Sequence, residues 1–571
     1  DLTLTVKFPM QKDVFDHVGT GLRALEEQKN ADLKSKKVNF SEQGSFRTLA
    51  GLQQFAAAWD ESTLRHLLRR TLFGFKQEDL NTWKGKSMAE VVQLLVSPSQ
   101  APLPPVNNYN DANFSDPTVP AGQTWVNAPY DGNANGRRNT SLKSWWLGNL
   151  LQQTSSVHEK MTLFWHNHFA VEAVDVNDAR YMYRYYSLLR KYALGNFKEL
   201  VLEITKDPAM LRYLNGYQNN KNAPDENYAR ELQELFTLGK GPLVFYTEAD
   251  VRAAARVLTG YTVNATTISS VFDPNRHDTG NKQFSTYYQN KVILGKTGAN
   301  GAKETEELID MLFLQQETAL YLCRKLYRFF VYYEIDAATE ANVIVPMANL
   351  FRAKNYEVKP VLELLFSSTH FYDPVNVAGM IKSPLDYCVG LCKEFKMQFP
   401  DSTDFANQYL MYDYIRTQAS NMQQNLADPP SVAGWPAYYQ APQFHELWIN
   451  SDTLPRRNQF MNILITSGYT RNGKKIFIDV LTYVNALSNP GNPNLLIRDT
   501  VAHLCAIGLT AEVIQFLKSI LLSGQSTDSY WTDAWTSYKA NPTNVVARNM
   551  VLSRLNSMFS YLMNLPEYQL S

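Results

Sequence analysis

The sequence predicts a mainly α-helical fold: a large multi-helix body with a small irregular β insertion and long surface loops. Apolar residues recur every three or four positions through much of the chain. Asp, Ser or Thr often precedes such a run, where a helix would be capped. Strand-like alternation is sparse. The 571 residues are enough for a sizeable core, either in two to four domains or in one large helical body with insertions.

Three regions are expected in chain order. Residues 1–50 have a lysine-rich middle and a strand-like alternation at 2–8, and we expect them to form an N-terminal arm. Residues 51–460 are predicted to form a helical core domain, and residues 461–571 a C-terminal helical segment packed on that core. The clearest helical periodicity covers 60–75, 141–153, 225–239, 247–261 and 316–331.

Two stretches of the core domain are predicted to be loops, and one is predicted to be a β insertion. Residues 101–140 are rich in Pro, Asn, Asp and Gly, so we expect a mobile or draped surface loop, either a lid or an excursion. Residues 424–442 have a similar composition. The β insertion is predicted at 262–300, where short alternating runs are broken by Asp-Pro-Asn turn chemistry.

The composition argues against a nucleic acid partner and against a transmembrane segment. The chain has 55 Lys and Arg against 55 Asp and Glu and no long block of like charge, so no nucleic acid partner is expected. No apolar stretch approaches the roughly 20 residues of a transmembrane helix, so no transmembrane segment is expected. The four cysteines lack the paired Cys-x-x-Cys spacing of a zinc ribbon.

The first chemically dense segment is LFWHNHFAVE, residues 163–172, in which His166 and His168 interrupt large apolar side chains. Ser156 and Glu159 predict a capping box at the start of the helix. In a continuous helix the two imidazoles lie roughly 200° apart, so they can reach one point only if the helix ends near Asn167. The alternative is that both are core histidines bonded to the backbone.

Two further segments carry ionisable groups. In ENYARELQELF, residues 226–236, a helical wheel places Arg230, Glu231 and Glu234 on one face, which is either solvated or able to bind a cation. In FDPNRHDTGNK, residues 272–282, His277 and Asp278 offer a ligand or a general base on a loop. The segments TLFGF and DPPSVAGWP are interpreted as architectural.

Taken together, these segments resemble a large bacterial family catalogued as domain of unknown function 1800. The motifs that carry the resemblance lie between residues 60 and 460, and residues 461–571 match it loosely. They read LRHLLRRTLFGF, FWHNHFAV, NYARELQELFTLG, YTEADVRAAARVLTGY, FDPNRHDTGNKQF, CRKLYRFFV, KSPLDYCVG and PPSVAGWP. The resemblance implies an exported protein, periplasmic, on the cell surface or extracellular. It also implies an envelope partner resembling sulfatases or phosphatases, and it transfers no catalytic residues.

These observations suggest a shared site that holds a divalent transition metal. Helices at 156–166 and 227–238 are expected to pack side by side and to gather the three segments. The predicted metal ligands are His166, His168, Glu231 and Asp278. The predicted catalytic residues are His277, Glu234 and Arg230. Imidazole and carboxylate ligands without thiolate suit such a metal, as in a metal-dependent hydrolase or oxidoreductase. The alternative is a non-catalytic structural or interaction protein of the cell envelope, with a glycan or protein partner, whose polar motifs form a buried network.

Overall fold

Helices carry most of the fold, and strands are few and short, as the sequence predicts. The structure is a computed structural model that describes residues 51–571 apart from 154, 242 and 243. The expected N-terminal arm, with its alternation at 2–8, lies outside the described residues. Within the described part, no helix is long and apolar enough to cross a membrane.

The helices before the β insertion are α1 Glu61–Thr71, α2 Gln77–Trp83, α3 Met88–Leu95, α4 Gly132–Gln152, α5 His158–His168, α6 Ala173–Val176, α7 Ala179–Lys191, α8 Phe197–Thr205, α9 Pro208–Tyr213, α10 Asn227–Glu231 and α11 Glu248–Val257. A π-helical turn, Leu232–Thr237, continues α10.

The helices after the insertion are α12 Lys303–Leu314, α13 Gln316–Phe330, α14 Ala337–Thr339, α15 Val345–Ala353, α16 Val358–Phe366, α17 Pro384–Glu394, α18 Phe405–Asn421, α19 Thr453–Thr466, α20 Val480–Asn485, α21 Pro493–Leu504, α22 Ala511–Leu521, α23 Ser529–Ala540 and α24 Val545–Asn564. A second π-helical turn, Glu340–Ile344, joins α14 to α15.

The strands form antiparallel pairs, and two pairs lie in the predicted β insertion. They are β1 Tyr261–Asn264 with β2 Ser269–Phe272, and β3 Lys282–Gln283 with β4 Val292–Ile293. Sequence reasoning missed a third hairpin, β5 Tyr469–Arg471 with β6 Lys474–Ile476. Its signal was present, because Asn472-Gly473 is the dipeptide that a tight hairpin turn favours, and both residues have positive φ.

Helix α5 lies at the centre of the core, and all of its residues are buried. It packs against α7 and α4. The predicted capping box is wrong: α5 begins at His158 without a side-chain cap, and Glu159 instead accepts a hydrogen bond of 2.7 Å from Arg190 Nε. Because no face of α5 meets solvent, every polar side chain on it needs a partner inside the protein.

The predicted mobile or draped surface loop at 101–140 is wrong for its last nine residues, whereas residues 101–131 contain no helix and are mostly exposed or partly exposed. Helix α4 begins at Gly132, capped by Asp131, so part of the stretch is helical. Trp125 is fully buried, and Asp116 forms a buried ion pair of 2.8 Å with Arg138 of α4. The Pro and Asn residues therefore form turns that lie over the core.

The C-terminal segment contacts the rest of the chain in two ways. Helix α24 packs against α19, α20, α22 and α23. The residues after it pair with the strand-like stretch before α17, where Lys382 N–H donates to the Gln569 carbonyl at 2.8 Å. The four cysteines are buried and free.

Candidate functional site

His166 lies in an aromatic pocket of the core. Tyr185 Oη donates its proton to the Phe169 carbonyl at 2.8 Å, so it accepts from His166 Nδ1 at 3.0 Å. His166 Nε2 is then a lone pair, and it has no hydrogen-bond partner among the described residues. The rings of Trp146 and Trp435 pack around it. Burial lowers the pKa of His166 to about 3, with a smaller contribution from the charge of Lys143. The imidazole is therefore neutral at physiological pH.

His168 points to a different part of the protein, because α5 continues without a break to that residue. Its Nε2 donates to the Phe236 carbonyl at 3.0 Å, and its Nδ1 accepts from Lys325 Nζ at 3.1 Å. Burial, followed by the charge of Lys325, lowers the pKa of His168 well below its usual value. The two imidazoles therefore do not address one point.

Asn167, between them, fixes a third contact. Its Oδ1 accepts the backbone N–H of Trp435 at 2.9 Å. Gly434 has a φ of +90°, and a Cβ there would lie 2.3 Å from Asn167 Oδ1 and 2.5 Å from its carbonyl oxygen. Only glycine fits this approach. The motifs FWHNHF and PPSVAGWP therefore belong to one packed unit, which agrees with the architectural interpretation of the second.

The π-helical turn makes backbone acceptors available to side chains. Its bonds run from residue i+5 to residue i, as in Leu238 N–H to the Gln233 carbonyl at 2.9 Å. The Leu235 carbonyl accepts from Tyr321 Oη at 3.1 Å and from Lys325 Nζ at 3.4 Å. With the bond from His168 to the Phe236 carbonyl, three side chains meet this turn. The predicted helix pair therefore meets at its carboxyl-terminal ends, through His168 and Phe236.

The polar side chains on α10 and on its π-helical turn do not share one set of partners. Arg230 forms exposed ion pairs with Glu226 at 3.1 Å and Glu248 at 2.7 Å. Glu234 pairs with Lys240. Glu231 is half-buried, has no hydrogen-bond or ion-pair partner among the described residues, and has a pKa that burial, then Glu234, raises.

His277 belongs to a charged cluster in the β insertion. Its Nδ1 donates to the Thr259 carbonyl at 2.9 Å, and its Nε2 lies 3.1 Å from Glu304 Oε1, although poorly aligned for a hydrogen bond. The buried Lys282 ammonium pairs with the other oxygen of Glu304. Burial opposes ionisation of Glu304, but the close contact with His277 and the hydrogen bonds from Lys282 and the Lys296 N–H hold its pKa below the usual value.

Asp278 lies at the edge of this cluster, where Lys282 Nζ is 3.9 Å from its Oδ1 and donates to its carbonyl. Its carboxylate forms two hydrogen bonds with Arg256, at 2.7 and 3.0 Å, and accepts the N–H of Gly280 at 2.8 Å. Burial pushes its pKa up, but Arg256 and Gly280 outweigh burial and hold the pKa below its usual value. Asp278 is therefore the anchor of an ion pair and has no free lone pair directed at His277.

The seven predicted site residues thus lie in separate networks instead of one site. Among the residues that the structure describes, no group of three or more His, Cys, Asp or Glu side chains could hold a metal ion. Ammonium groups lie beside the imidazoles: Lys325 contacts His168, the charge of Lys143 acts on His166, and Lys282 shares Glu304 with His277. The four predicted metal ligands, His166, His168, Glu231 and Asp278, are therefore not gathered around one point in the part of the chain that the structure describes.

Sequence reasoning missed the partners of the predicted residues. Lys325, Tyr185 and Glu304 were not singled out, although Lys325 lies in the motif CRKLYRFFV. A basic residue within a strongly apolar helix was the available signal for Lys325. Burial, then the charge of Arg328, lowers the pKa of its amine to about 7.

The match to known families follows the same motifs. A family model described as "Protein of unknown function (DUF1800)" matches residues 66–570. The chain belongs to this family. No curated protein matches the chain, and no solved structure matches it.

The DUF1800 match confirms the resemblance seen in the motifs and extends it. The motifs lie between residues 60 and 460, whereas the family region continues to residue 570 and so includes nearly all of the C-terminal segment. The paired contact of Lys382 with Gln569 is therefore part of the DUF1800 region.

Proposed function

We propose that this protein is a non-catalytic structural or interaction protein of the bacterial envelope, in which the motif residues hold helices together. One observation carries the proposal: His168 contacts the Lys325 ammonium, and His277 shares Glu304 with Lys282, so these imidazoles belong to polar networks of the protein itself. His168 is the clearest case, because the Lys325 ammonium donates to its lone pair while its N–H donates to the π-helical turn. Such a fully bonded polar network fixes the relative positions of helices.

The charge balance of the network supports the same proposal. Glu304 neutralises the buried Lys282, and Glu159 neutralises the buried Arg190 on α7. Carboxylates that are already engaged with buried cations are poor ligands for an external metal, because binding it would leave the cation unpaired. Export and the envelope location rest on the family resemblance. Fractionation of cells that express the complete gene tests them, and a cytoplasmic protein would contradict the proposal.

Two substitutions at His168 separate a structural role from a metal-ligand role. His168→Phe keeps a ring of similar size but leaves the Phe236 carbonyl and the Lys325 ammonium without their partner, so we expect a loss of about 1–3 kcal/mol of unfolding free energy. His168→Gln keeps an amide that can bond, so we expect a smaller loss. Urea unfolding of both variants measures the difference.

Elemental analysis of protein purified without chelators is the companion measurement. A structural network predicts no stoichiometric transition metal in the wild type. Stoichiometric metal that is lost equally from the Phe and Gln variants would contradict the proposal, since both substitutions weaken ligation.

A second candidate function is acid–base chemistry at the π-helical turn, favoured by two opposite pKa shifts. Burial, then Glu234, raises the pKa of Glu231, and burial lowers the pKa of Lys325 to about 7. Tyr321 links them, since Lys325 Nζ lies 4.9 Å from its ring centre and the charge of Glu231 acts on its hydroxyl. Opposed shifts of this kind are typical of acid and base pairs.

Competitive trace labelling with acetic anhydride between pH 6 and 9 tests this second candidate. We expect Lys325 to react as an amine with a pKa near 7, whereas the exposed Lys240 should react as an ordinary lysine. An ordinary pKa at Lys325 would remove the candidate.

A further inference from the structure

We propose that the cleft between α1 and α21 binds a small amphipathic carboxylate, that is, an apolar chain ending in a carboxylate group. The cleft has a volume of about 970 Å³ and is lined by α1, by the loop around Tyr372 and Pro374, and by residues 494–514. This volume is at the upper end of the range of about 300–1,000 Å³ for small-ligand sites. The cleft lies outside the networks of His166, His168 and His277, although Arg65, His66 and Arg69 of the motif LRHLLRRTLFGF line it. The inference does not depend on the proposed function.

The charge lining the cleft is positive. Of the described residues that line it, three are arginines, Arg65, Arg69 and Arg498, and one carries a carboxylate, Glu61. That carboxylate is shared, because Glu61 pairs with both Arg65 and Lys84. Arg498 pairs with Asp499 at 2.7 Å, so the positive charge of the cleft that no described carboxylate pairs with is that of Arg69.

Arg69 has the least compensated charge of the three. Its Nη2 donates to the carbonyls of Ala502 at 2.9 Å and His503 at 3.0 Å, at the end of α21, and it forms no ion pair with a described carboxylate. Burial, then the charge of Arg65, lowers its pKa to about 10. Neighbouring cations also disfavour protonation of the buried His503 below the cleft, after the effect of burial itself. The environment thus favours an anion.

Apolar side chains cover the other part of the cleft. Ile507 is 41% exposed, so part of its side chain is open to a ligand in the cleft. The apolar lining residues on this side are Val501, Ala502, Ile507, Leu509 and Ile514. Tyr372, Pro374 and Val377 lie on the side of the core. A ligand that is both charged and apolar matches these two parts, with its head at the arginines and its body against Ile507 and its neighbours.

A carboxylate head fits the donors. Guanidinium groups present two parallel N–H donors at the spacing of carboxylate oxygens, and their bonds strengthen where water is excluded. Arg65 is only 8% exposed, and it already donates to Glu61 and contacts His503 Nδ1 at 3.4 Å. A bound carboxylate is therefore expected at Arg69 and Arg498, which line the same cleft.

Calorimetric titration of the full chain with sodium octanoate, 1-octanol and sodium acetate tests the ligand class. We expect octanoate to bind one-to-one, and octanol and acetate, which lack the charge and the chain respectively, to bind about tenfold more weakly or worse. Absence of octanoate binding overturns the proposal. Equal binding of octanol, or of acetate, overturns the amphipathic requirement.

A matched pair of arginine variants tests whether octanoate binds in this cleft. Arg498→Gln removes a cleft charge, and Arg456→Gln removes a charge of the same exposed, Asp-paired kind outside it. We expect about a three- to tenfold loss of octanoate affinity for Arg498→Gln and none for Arg456→Gln. Equal affinities in these two variants would place the site elsewhere and overturn the proposal.

A second matched pair tests the apolar part. Ile507→Glu places a negative charge on the cleft wall, so we expect about a tenfold or greater loss of octanoate affinity. Val546→Glu makes a comparable change at an exposed position of α24 outside the cleft, and should leave affinity unchanged. Both positions are exposed, so both variants should fold. An unchanged affinity in Ile507→Glu would contradict the proposal.

Discussion

Helix α5 and the loop that carries His277 both bury imidazoles, but they do so with different amounts of charge. On α5, His166 and His168 are neutral, and their partners are a hydroxyl, a carbonyl and an ammonium. In the loop, His277 lies 3.1 Å from Glu304, which also neutralises the buried Lys282. Removing one partner by substitution is therefore expected to lower the unfolding free energy by different amounts in the two regions.

The difference shows that a dense group of ionisable residues does not define one kind of site. Around α5 the cost of burial is reduced by keeping the imidazoles uncharged, with both nitrogens of His168 and one nitrogen of His166 bonded. In the loop it is avoided by compensating one buried charge with another, which makes each member depend on the others. The following predictions use this contrast.

The largest effect is expected for Glu304→Gln. This change leaves Lys282, which is fully buried, without its anion, so we expect a loss of about 3–5 kcal/mol in unfolding free energy. Glu307→Gln is the matched control, because Glu307 forms a partly exposed pair with Lys296 and should cost less than about 1 kcal/mol. Urea unfolding measures both. Similar losses would show that the buried cluster is not charge-compensated.

A smaller loss is expected for Gly434→Ala, which disrupts the α5 region without changing charge. The new methyl group would meet Asn167 and would require a positive φ, so we expect a loss of roughly 2–4 kcal/mol. Gly473→Ala is the matched control. Gly473 has a φ of +73°, but no atom lies within 4 Å of the added carbon, so we expect a loss of about 1 kcal/mol of unfolding free energy. If thermal unfolding gives equal losses, the contact with Asn167 is not tight.

The two regions should also differ in their pH windows. The folded pKa of His166 is about 3 against 6.5 in the unfolded chain, so its contribution is present above pH 6.5 and is lost as the pH falls toward 3. The pKa of Asp278 is held below 3.8, so its contribution is present above that pH and is lost as the pH falls through its folded pKa. Acidification therefore affects the α5 region first.

Urea unfolding at several pH values between about 6 and 4.5 measures this difference. His166→Phe should flatten the loss of stability by on the order of 1 kcal/mol per pH unit, because one proton uptake on unfolding is removed. Asp278→Asn should leave the slope in this window unchanged. A flattened slope in Asp278→Asn alone would reverse the assignment of the windows.

The smallest effect is expected for Arg230→Gln. Its ion pairs with Glu226 and Glu248 are exposed, so the change should cost no more than about 1 kcal/mol. Urea unfolding beside Glu304→Gln gives the comparison. A loss as large as that of Glu304→Gln would mean that Arg230 belongs to a buried network.

The helical class and the position of the β insertion were predictable because their signals are local. Apolar periodicity over 60–75 corresponds to α1, and the turn chemistry around Pro274 lies between β2 and β3. The end of the predicted loop at 101–140 was misjudged because the first turns of α4 are rich in Gly and Asn, which are typical of turns. Trp125 and the pair of Asp116 with Arg138 anchor the rest of the loop on the core.

The candidate site was predictable only as a set of unusual residues. Lys325 lies 157 positions from His168 along the chain, and no local pattern pairs them. The π-helical turn has no sequence signature of its own, and it changes which carbonyls are available after Glu231. The concentration of ionisable residues therefore identified the motifs. Their bonding partners could not be predicted, because long-range packing brings them together.

The tripeptide His166-Asn167-His168 has a consequence for the order of folding. Its three side chains bond to residues 19, 268 and 68 positions further along the chain. Contacts of such large sequence separation form late, after the entropy of closing the intervening loop has been overcome. The end of α5 therefore cannot reach its final arrangement until the chain has been synthesised beyond Trp435, and ribosome-bound intermediates shorter than this should lack it.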